Sequence, residues 1–481
     1  MRNRLALDIP NRGRHHSAMI TIDSSLSPAK LLPQTERLWQ VAAPKIRRIA
    51  ERFPHAAPSP VITKAGRYEP QGWTEWTRGF QYGSALLAFD ATGDESLLAI
   101  GRDGTRRDMA SHVTHFGVHD HGFNNVSTYG NMRRLILEGQ LPGDANQLEY
   151  YDLALKASAA VQASRWSRIE NGGGHIYSFN GPHSLFSDTM RSLRVLAIGH
   201  LVGAQALGEN DAPINMLDRL VKHAQANATY NIYFGDGRDA YDIRGRVVHE
   251  SIFNVNDGRY RCPSTQQGYS PFTTWTRGLA WVMLGYAEQL EFLDVLSDAD
   301  LAPHGGRVAI EAMMLDAARA TCDFFIEQTP TDGVAYWDTG APGLVELGSY
   351  LDHPADPFNA YEPVDSSASA IACQGLLRLG RRLQQAGEGD AGDRYWSAGL
   401  TTLRSLLQEP YLATDPQHDG LLLHTIYHRP RNWDYTPPDS RVPHGEACMW
   451  GDYHLLEAAL YVSRLAQAQP YYAFHLPLNA N

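Results

Sequence analysis

The sequence predicts an all-α protein, an (α/α)6 barrel of about twelve helices with a small β-hairpin insertion. Apolar residues recur at helical spacing, behind plausible start signals, in about twelve segments. The tetrapeptide Trp-Thr-Arg-Gly opens one helical run at Trp76 and another at Trp275, about 200 residues later, a spacing of three helical hairpins or half a closed ring. The compositionally odd stretches all stand at the starts of even-numbered helices. In an alternating ring those N-termini share one mouth, where unpaired backbone N–H groups favour anions.

Taken in order, the odd-numbered helices rest on apolar periodicity, at 34–52, 94–113, 146–164, 211–229, 306–327 and 391–408. Each even-numbered helix also has a marked beginning. Trp73 to Gly79 introduces the second, 77–91, and His119-Asp120-His121-Gly122-Phe123 the fourth, 121–139. Pro182 to Asp188 introduces the sixth, 185–205, and Gln266-Gln267-Gly268-Tyr269-Ser270-Pro271-Phe272-Thr273-Thr274 the eighth, 273–293. Tyr361 to Ser367 introduces the tenth, 365–386, and Val442 to Trp450 the twelfth, 445–467. Between 230 and 262 the pattern changes. Tyr230 to Phe234 and Arg246 to His249 alternate like short strands, with Gly235, Gly237 and Gly245 as turn residues, which predicts the hairpin. Pro-rich stretches near 352–363 and 430–443 read as long loops, because helical segments resume after each.

A chain of 481 residues admits one large barrel or two domains, and the repeat favours one: a loose leader over 1–33, a single catalytic barrel over 34–470 and a tail over 471–481. With 10 Trp and 23 Tyr the chain holds more aromatics than a core requires, which favours a ligand groove. The net charge of −11 is spread along the chain with no basic block, so nucleic acid is not an expected partner. The four cysteines, 262, 322, 373 and 448, lie far apart and form no C-x-x-C pair, so reduced thiols are expected. No window approaches 18 uninterrupted apolar residues, and Met1 to Asp23 lacks the apolar core of a signal peptide, so no membrane association and a cytoplasmic location are expected.

Asp120 and Asp188 are the leading carboxylates, each beside a helix start and flanked by aromatic or histidine residues. Two acidic groups facing one sugar ring are the minimum set for glycosidic cleavage. The competing reading is that both merely cap helices, since Asp is a favoured N-cap. His112, His115, His119 and His121 form a dense run, but Gly117 breaks the face and no further ligand completes a metal site, so only His119 is placed at the pocket. Trp76, Trp275 and Trp281 suit stacking on a sugar face, with burial in the core as the alternative. Arg277 suits a bidentate clamp on a carboxylate, and a structural salt bridge is the alternative.

These motifs form one ordered series. Trp-Thr-Arg-Gly-Phe at 76–80, Thr92-Gly93-Asp94-Glu95, His119-Asp120-x-Gly122-Phe123 and Gln267-Gly268 come first, then Trp275-Thr276-Arg277-Gly278-x-Ala280-Trp281. Asp332-Gly333-Val334-x-Tyr336-Trp337-Asp338, Asp365 to Ile371 and Trp450-Gly451-Asp452-Tyr453 complete it. Over roughly 34–467 the series resembles the unsaturated glucuronyl hydrolases, glycoside hydrolase family 88. The resemblance implies a barrel without metal or other cofactor, acting on acidic oligosaccharides left by polysaccharide lyases, whose non-reducing sugar is a 4,5-unsaturated uronic acid. It implies hydration of an enol ether, with Asp188 protonating C4, Asp120 as its partner, water adding at C5, and the hemiketal collapsing to release the adjoining sugar. Trp76, Gln267, Trp275, Arg277 and Trp281 match positions that contact the ring and carboxylate. Asn231 stands where the family carries a site histidine, Ala447 where it carries a tyrosine, and His121 where it has an apolar side chain, so the substrate can differ. The rival functions are hydrolysis of a saturated uronide or other acidic glycoside at C1, and a non-catalytic sugar-binding barrel.

Overall fold

The computed structural model describes residues 19–71 and 75–470; Trp73, most of the expected leader and the expected tail lie outside them. The elements run α1 (Pro28–Arg52), β1 (Pro60–Lys64), β2 (Arg67–Pro70), α2 (Arg78–Thr92), α3 (Glu95–Asp108), α4 (Ala110–Val113), α5 (His121–Asn125), α6 (Asn131–Leu137) and α7 (Ala145–Ser164). There follow β3 (Trp166–Arg168), β4 (Gly174–Ile176), β5 (Ser184–Phe186), α8 (Thr189–Ser192), α9 (Arg194–Leu201), β6 (Ala206–Leu207), β7 (Pro213–Ile214), α10 (Met216–Tyr230), β8 (Glu250–Phe253) and β9 (Tyr260–Ser264). The last are α11 (Thr276–Leu293), α12 (Asp298–Leu301), α13 (Arg307–Glu327), α14 (Ser366–Gln385), α15 (Gly389–Leu406) and α16 (Met449–Ala466). The chain is mostly helical with a few small strands. No helix among the described residues is long and apolar enough to cross a membrane.

Helices α2, α5, α8, α11, α14 and α16 touch one another in a closed series, α16 returning to α2. They are buried on nearly every face, as helices with neighbours all round must be, whereas α1, α3, α7 and α10 each bury one stripe and expose the other. Glycines let the inner helices approach. A Cβ on Gly79 would lie 2.3 Å from the Asn124 carbonyl, and one on Gly122 2.1 Å from that of Ser192, so both motif glycines are there for space. One hydrophobic cluster runs from Ile20 to Val462. Inside the ring, Arg191 pairs with Glu288 at 2.8 Å and Glu457 at 3.0 Å, Arg194 reaches Glu457 at 3.6 Å, and Arg378 pairs with Glu291 at 2.6 Å, all essentially without solvent.

Three expectations are corrected. Residues 19–33 are not loose: Ile20 and Thr21 donate backbone N–H bonds to the Ile326 and Thr331 carbonyls, and α1 begins at Pro28 behind the Ser27 cap. The sixth helix starts at Thr189, not 185, because Ser184–Phe186 pairs as an edge strand with β8. The hairpin is shorter than expected, and a longer one follows it. Tyr230 ends α10, and 231–233 meet 245–248 through the Ile232–Val247 bridge and the Val248, Tyr233 and Gly245 N–H groups on the carbonyls of Asn231, Arg246 and Tyr233, whereas the longer paired strands are β8 and β9, which with β5 form a three-stranded sheet. Lone alternation could not show that the partner of this segment comes from before α8.

Candidate active site

The two carboxylates come together through Ser192. Its hydroxyl donates to the His119 carbonyl at 2.6 Å and accepts the Gly122 N–H at 3.0 Å, so the start of α5 is tied to the turn that carries Asp188. Strand β5 fixes that turn from the other side, with the Ser187 N–H bonded to the His249 carbonyl at 2.8 Å. Asp120 and Asp188 stand at the N-caps of α5 and α8, yet neither side chain makes a cap hydrogen bond. Asp94, Asp144 and Asn215, at the starts of α3, α7 and α10, all do. The carboxylates therefore face the pocket instead of the helix.

His119 lies between them. Its Nε2 is 3.3 Å from Asp188 Oδ1 and 3.8 Å from Asp120 Oδ1, its ring is stacked on Phe179 and edge-on to Phe186, and its Nδ1 has no partner. Burial alone would lower the affinity of His119 for a proton, but the charge of Asp120 and the bond to Asp188 outweigh it, and its pKa is raised. Burial and the neighbouring Asp188 raise Asp120 despite His119. Asp188 moves the other way: burial would raise it, but the bond and charge of His119, with Arg277 further off, hold it below the usual carboxylate range. The two opposite shifts favour a proton on His119 over one on Asp188.

Trp76, His119, Asp120, Asp188, Gln267, Trp275, Arg277 and Trp281 line one pocket. Trp76 stacks on Trp450 at 4.9 Å and donates its indole N–H to the Tyr427 hydroxyl at 3.3 Å. The two Trp-Thr-Arg-Gly copies are built alike, with the Thr77 hydroxyl on the Pro60 carbonyl and that of Thr276 on the Tyr336 carbonyl, each placing its tryptophan at the pocket. The other histidines of the run point elsewhere. His121 bonds Ser158 Oγ at 2.8 Å and the His115 carbonyl at 3.0 Å, and His112 packs edge-on to His115. A wider groove, lined among others by Arg102, Arg106, Met132 and Tyr150, contains none of these residues.

No family model matches the sequence. The curated unsaturated glucuronyl hydrolase of Bacillus sp. strain GL1 is 26% identical over 437 residues, which cover 88% of this chain and 94% of that protein. The unsaturated chondroitin disaccharide hydrolase of Streptococcus pyogenes is 25% identical over 428 residues, covering 87% and 89%. Among solved structures, the unsaturated glucuronyl hydrolase of Bacillus sp. GL1 matches with a TM-score of 0.66 at 22% identity, over 92% of this chain and 100% of that one. An unsaturated glucuronyl hydrolase specific for heparin matches at 0.68 and 18% identity, over 91% and 98%. The chain is a relative of the unsaturated glucuronyl hydrolases.

Two sequence-derived positions differ from expectation in this relative of the unsaturated glucuronyl hydrolases. Asn231 does not reach the pocket: it is buried behind it, donating from Nδ2 to the Val248 carbonyl at 3.0 Å. His249 stands by the site in its place, against Trp275 and Phe186, and its Nδ1 accepts the Gln266 and Gln267 N–H groups at 3.0 and 3.2 Å. Burial holds its pKa down to about 4, so Nε2 carries the proton of a neutral ring and has no protein partner. Arg277 borders the pocket, but its fork is already occupied. One end bonds Asp365 Oδ2 at 2.7 Å and the Ile426 carbonyl, the other Gln267 Oε1 at 3.0 Å and the Tyr427 carbonyl at 2.7 Å. Sequence reasoning also missed Phe179, Gln266, Tyr427, His428, Arg431 and Trp433. The last four come from the stretch before α16, where only tryptophan and arginine among prolines hinted at a wall.

Proposed function

We propose that this chain is a glycoside hydrolase that releases a 4,5-unsaturated uronic acid from the non-reducing end of lyase-generated oligosaccharides by hydrating the enol ether. The supporting observation is His119 within reach of Asp188 and close to Asp120 in a tryptophan-lined pocket. Structures of unsaturated glucuronyl hydrolases have been solved with dGlcA-Glc-Rha-Glc and with dGlcA-GalNAc6S, which accords with an acidic oligosaccharide as substrate. The closed series of inner helices supports an (α/α)6 barrel as a single domain.

In this reading Asp188 delivers the proton to C4 and Asp120 is its partner. The substrate carboxylate adds a negative charge and expels water, both of which raise the proton affinity of Asp188. The proton held on His119 Nε2 then passes to Asp188 Oδ1, 3.3 Å away, and on to C4. The cation left at C5 takes a water, whose own proton returns to the carboxylate pair, and the hemiketal opens so that C1 expels the adjoining sugar. Trp76, Trp275 and Trp281 offer stacking faces. Gln267, with its carbonyl oxygen on Arg277, keeps its amide NH2 as a donor.

Turnover of an unsaturated disaccharide in heavy water is expected to place deuterium at C4 and to abolish the ultraviolet absorbance of the double bond. Release of the adjoining sugar with the double bond intact and no deuterium would replace hydration with ordinary displacement at C1. Because the histidine run does not converge on one point, turnover is also expected to survive EDTA; loss that added zinc restores would overturn that.

A further inference from the structure

Every carboxylate around this pocket is engaged. Asp120 and Asp188 face His119, and Asp365 holds Arg277. Asp434, partly buried, accepts the backbone N–H groups of Tyr427 and His428. Arg431 is different. Among the described residues lining the pocket it is the cation with no carboxylate partner, and its exposed guanidinium lies over the Trp433 ring at 5.4 Å. A single turn over Arg429–Arg431 and the left-handed Asn432, φ 53°, set it at the rim, with its N–H on the His428 carbonyl at 3.1 Å. His428, 4% exposed and packed at 4.9 Å against Trp433, has two ring nitrogens without any partner. A buried polar group without a protein partner is costly unless water or a ligand completes it.

We propose that Arg431 and His428 form the anion-receiving corner of this pocket, Arg431 by a paired guanidinium fork and His428 by one neutral N–H. The ligand is an oxyanion on the bound sugar: the uronate carboxylate, or an ester sulfate on the adjoining residue. The proposal rests on the uronyl hydrolase reading and moves the recognition of charge from Arg277, whose fork is full, to the loop that Arg277 holds by the Tyr427 carbonyl. Burial, with Arg431 beside it, holds His428 at about 3, so it serves as a hydrogen-bond donor and adds no charge of its own.

The test compares the full-length wild type with Arg431→Gln and Arg431→Lys on an unsaturated uronyl disaccharide with a neutral partner sugar, and on the same disaccharide bearing one sulfate. Arg431→Gln is expected to raise KM at least tenfold, with the loss mainly in KM and a flatter salt dependence than wild type. Arg431→Lys is expected to recover part of it. Equal losses on both substrates identify the carboxylate, and a loss confined to the sulfated one identifies the sulfate. KM values within twofold of wild type on both would overturn the proposal. If the wild type turns over neither substrate, the hydrolase reading fails by itself. Quenching of tryptophan fluorescence by each disaccharide then decides the anion corner, which falls if Arg431→Gln binds both as the wild type does.

Discussion

Asp188→Asn is expected to lower kcat roughly 10²- to 10⁴-fold while leaving the fold intact. The amide has the shape of the carboxylate, and because Asp188 makes no cap bond to α8 the substitution removes no helix contact. It removes two other things, the atom that carries the proton to C4 and the charge that stabilises protonated His119. His119 should therefore lose its proton at lower pH in the variant than in the wild type. Residual turnover, if measurable, should fall off at lower pH as pH rises. Single-turnover kinetics and the thermal midpoint of the same preparation check both parts. A variant within tenfold of wild-type kcat would remove Asp188 from the role of acid.

The second large effect concerns stability. Arg277→Met is expected to cost about 3–5 kcal/mol in denaturant unfolding, since it leaves Asp365 buried and unpaired. Asp365 is itself the cap of α14, its Oδ1 accepting the Ser367 N–H at 3.1 Å, and the carbonyls of Ile426 and Tyr427 lose their donors as well. A bidentate clamp on a substrate carboxylate, one of the two roles the sequence allowed Arg277, would make Arg277→Lys chiefly a binding defect. In the structure a lysine cannot span Asp365, Gln267 and two carbonyls, so its main effect is expected on stability and on the loop that carries Tyr427. An Arg277→Lys protein as stable as wild type but with a much raised KM would restore the clamp.

Helix positions were legible because the inner helices are apolar all round and the outer ones carry one stripe, signals that survive without a neighbour. The motif residues were legible for a related reason: Trp76, Asp120, Asp188 and Trp275 each stand at a helix start, and the ring brings those starts together. His249 was hidden because the chain from 230 to 264 folds back on β5, and the place taken for Asn231 goes to a residue much further along. Arg277 was misjudged because its partner Asp365 is distant in sequence and reads simply as a helix cap. Arg431 and His428 lie in a loop without periodicity, where no pattern tells wall from surface.

The charges buried inside the ring bear on how the chain can be made. Arg191 and Arg194 belong to the middle of the sequence, and Glu457, which answers both, belongs to its final helix, with a carboxyl held down to about 2 chiefly by those two arginines against the effect of burial. A nascent chain that has not yet produced α16 has Glu288 to set against Arg191 but lacks the carboxylate that Arg191 and Arg194 share. Its interior has to stay wet until the last turn leaves the ribosome. Premature termination upstream of Met449 is therefore expected to yield proteolytic fragments and no shortened fold, because the ring gains its electrical neutrality and its closure in the same event.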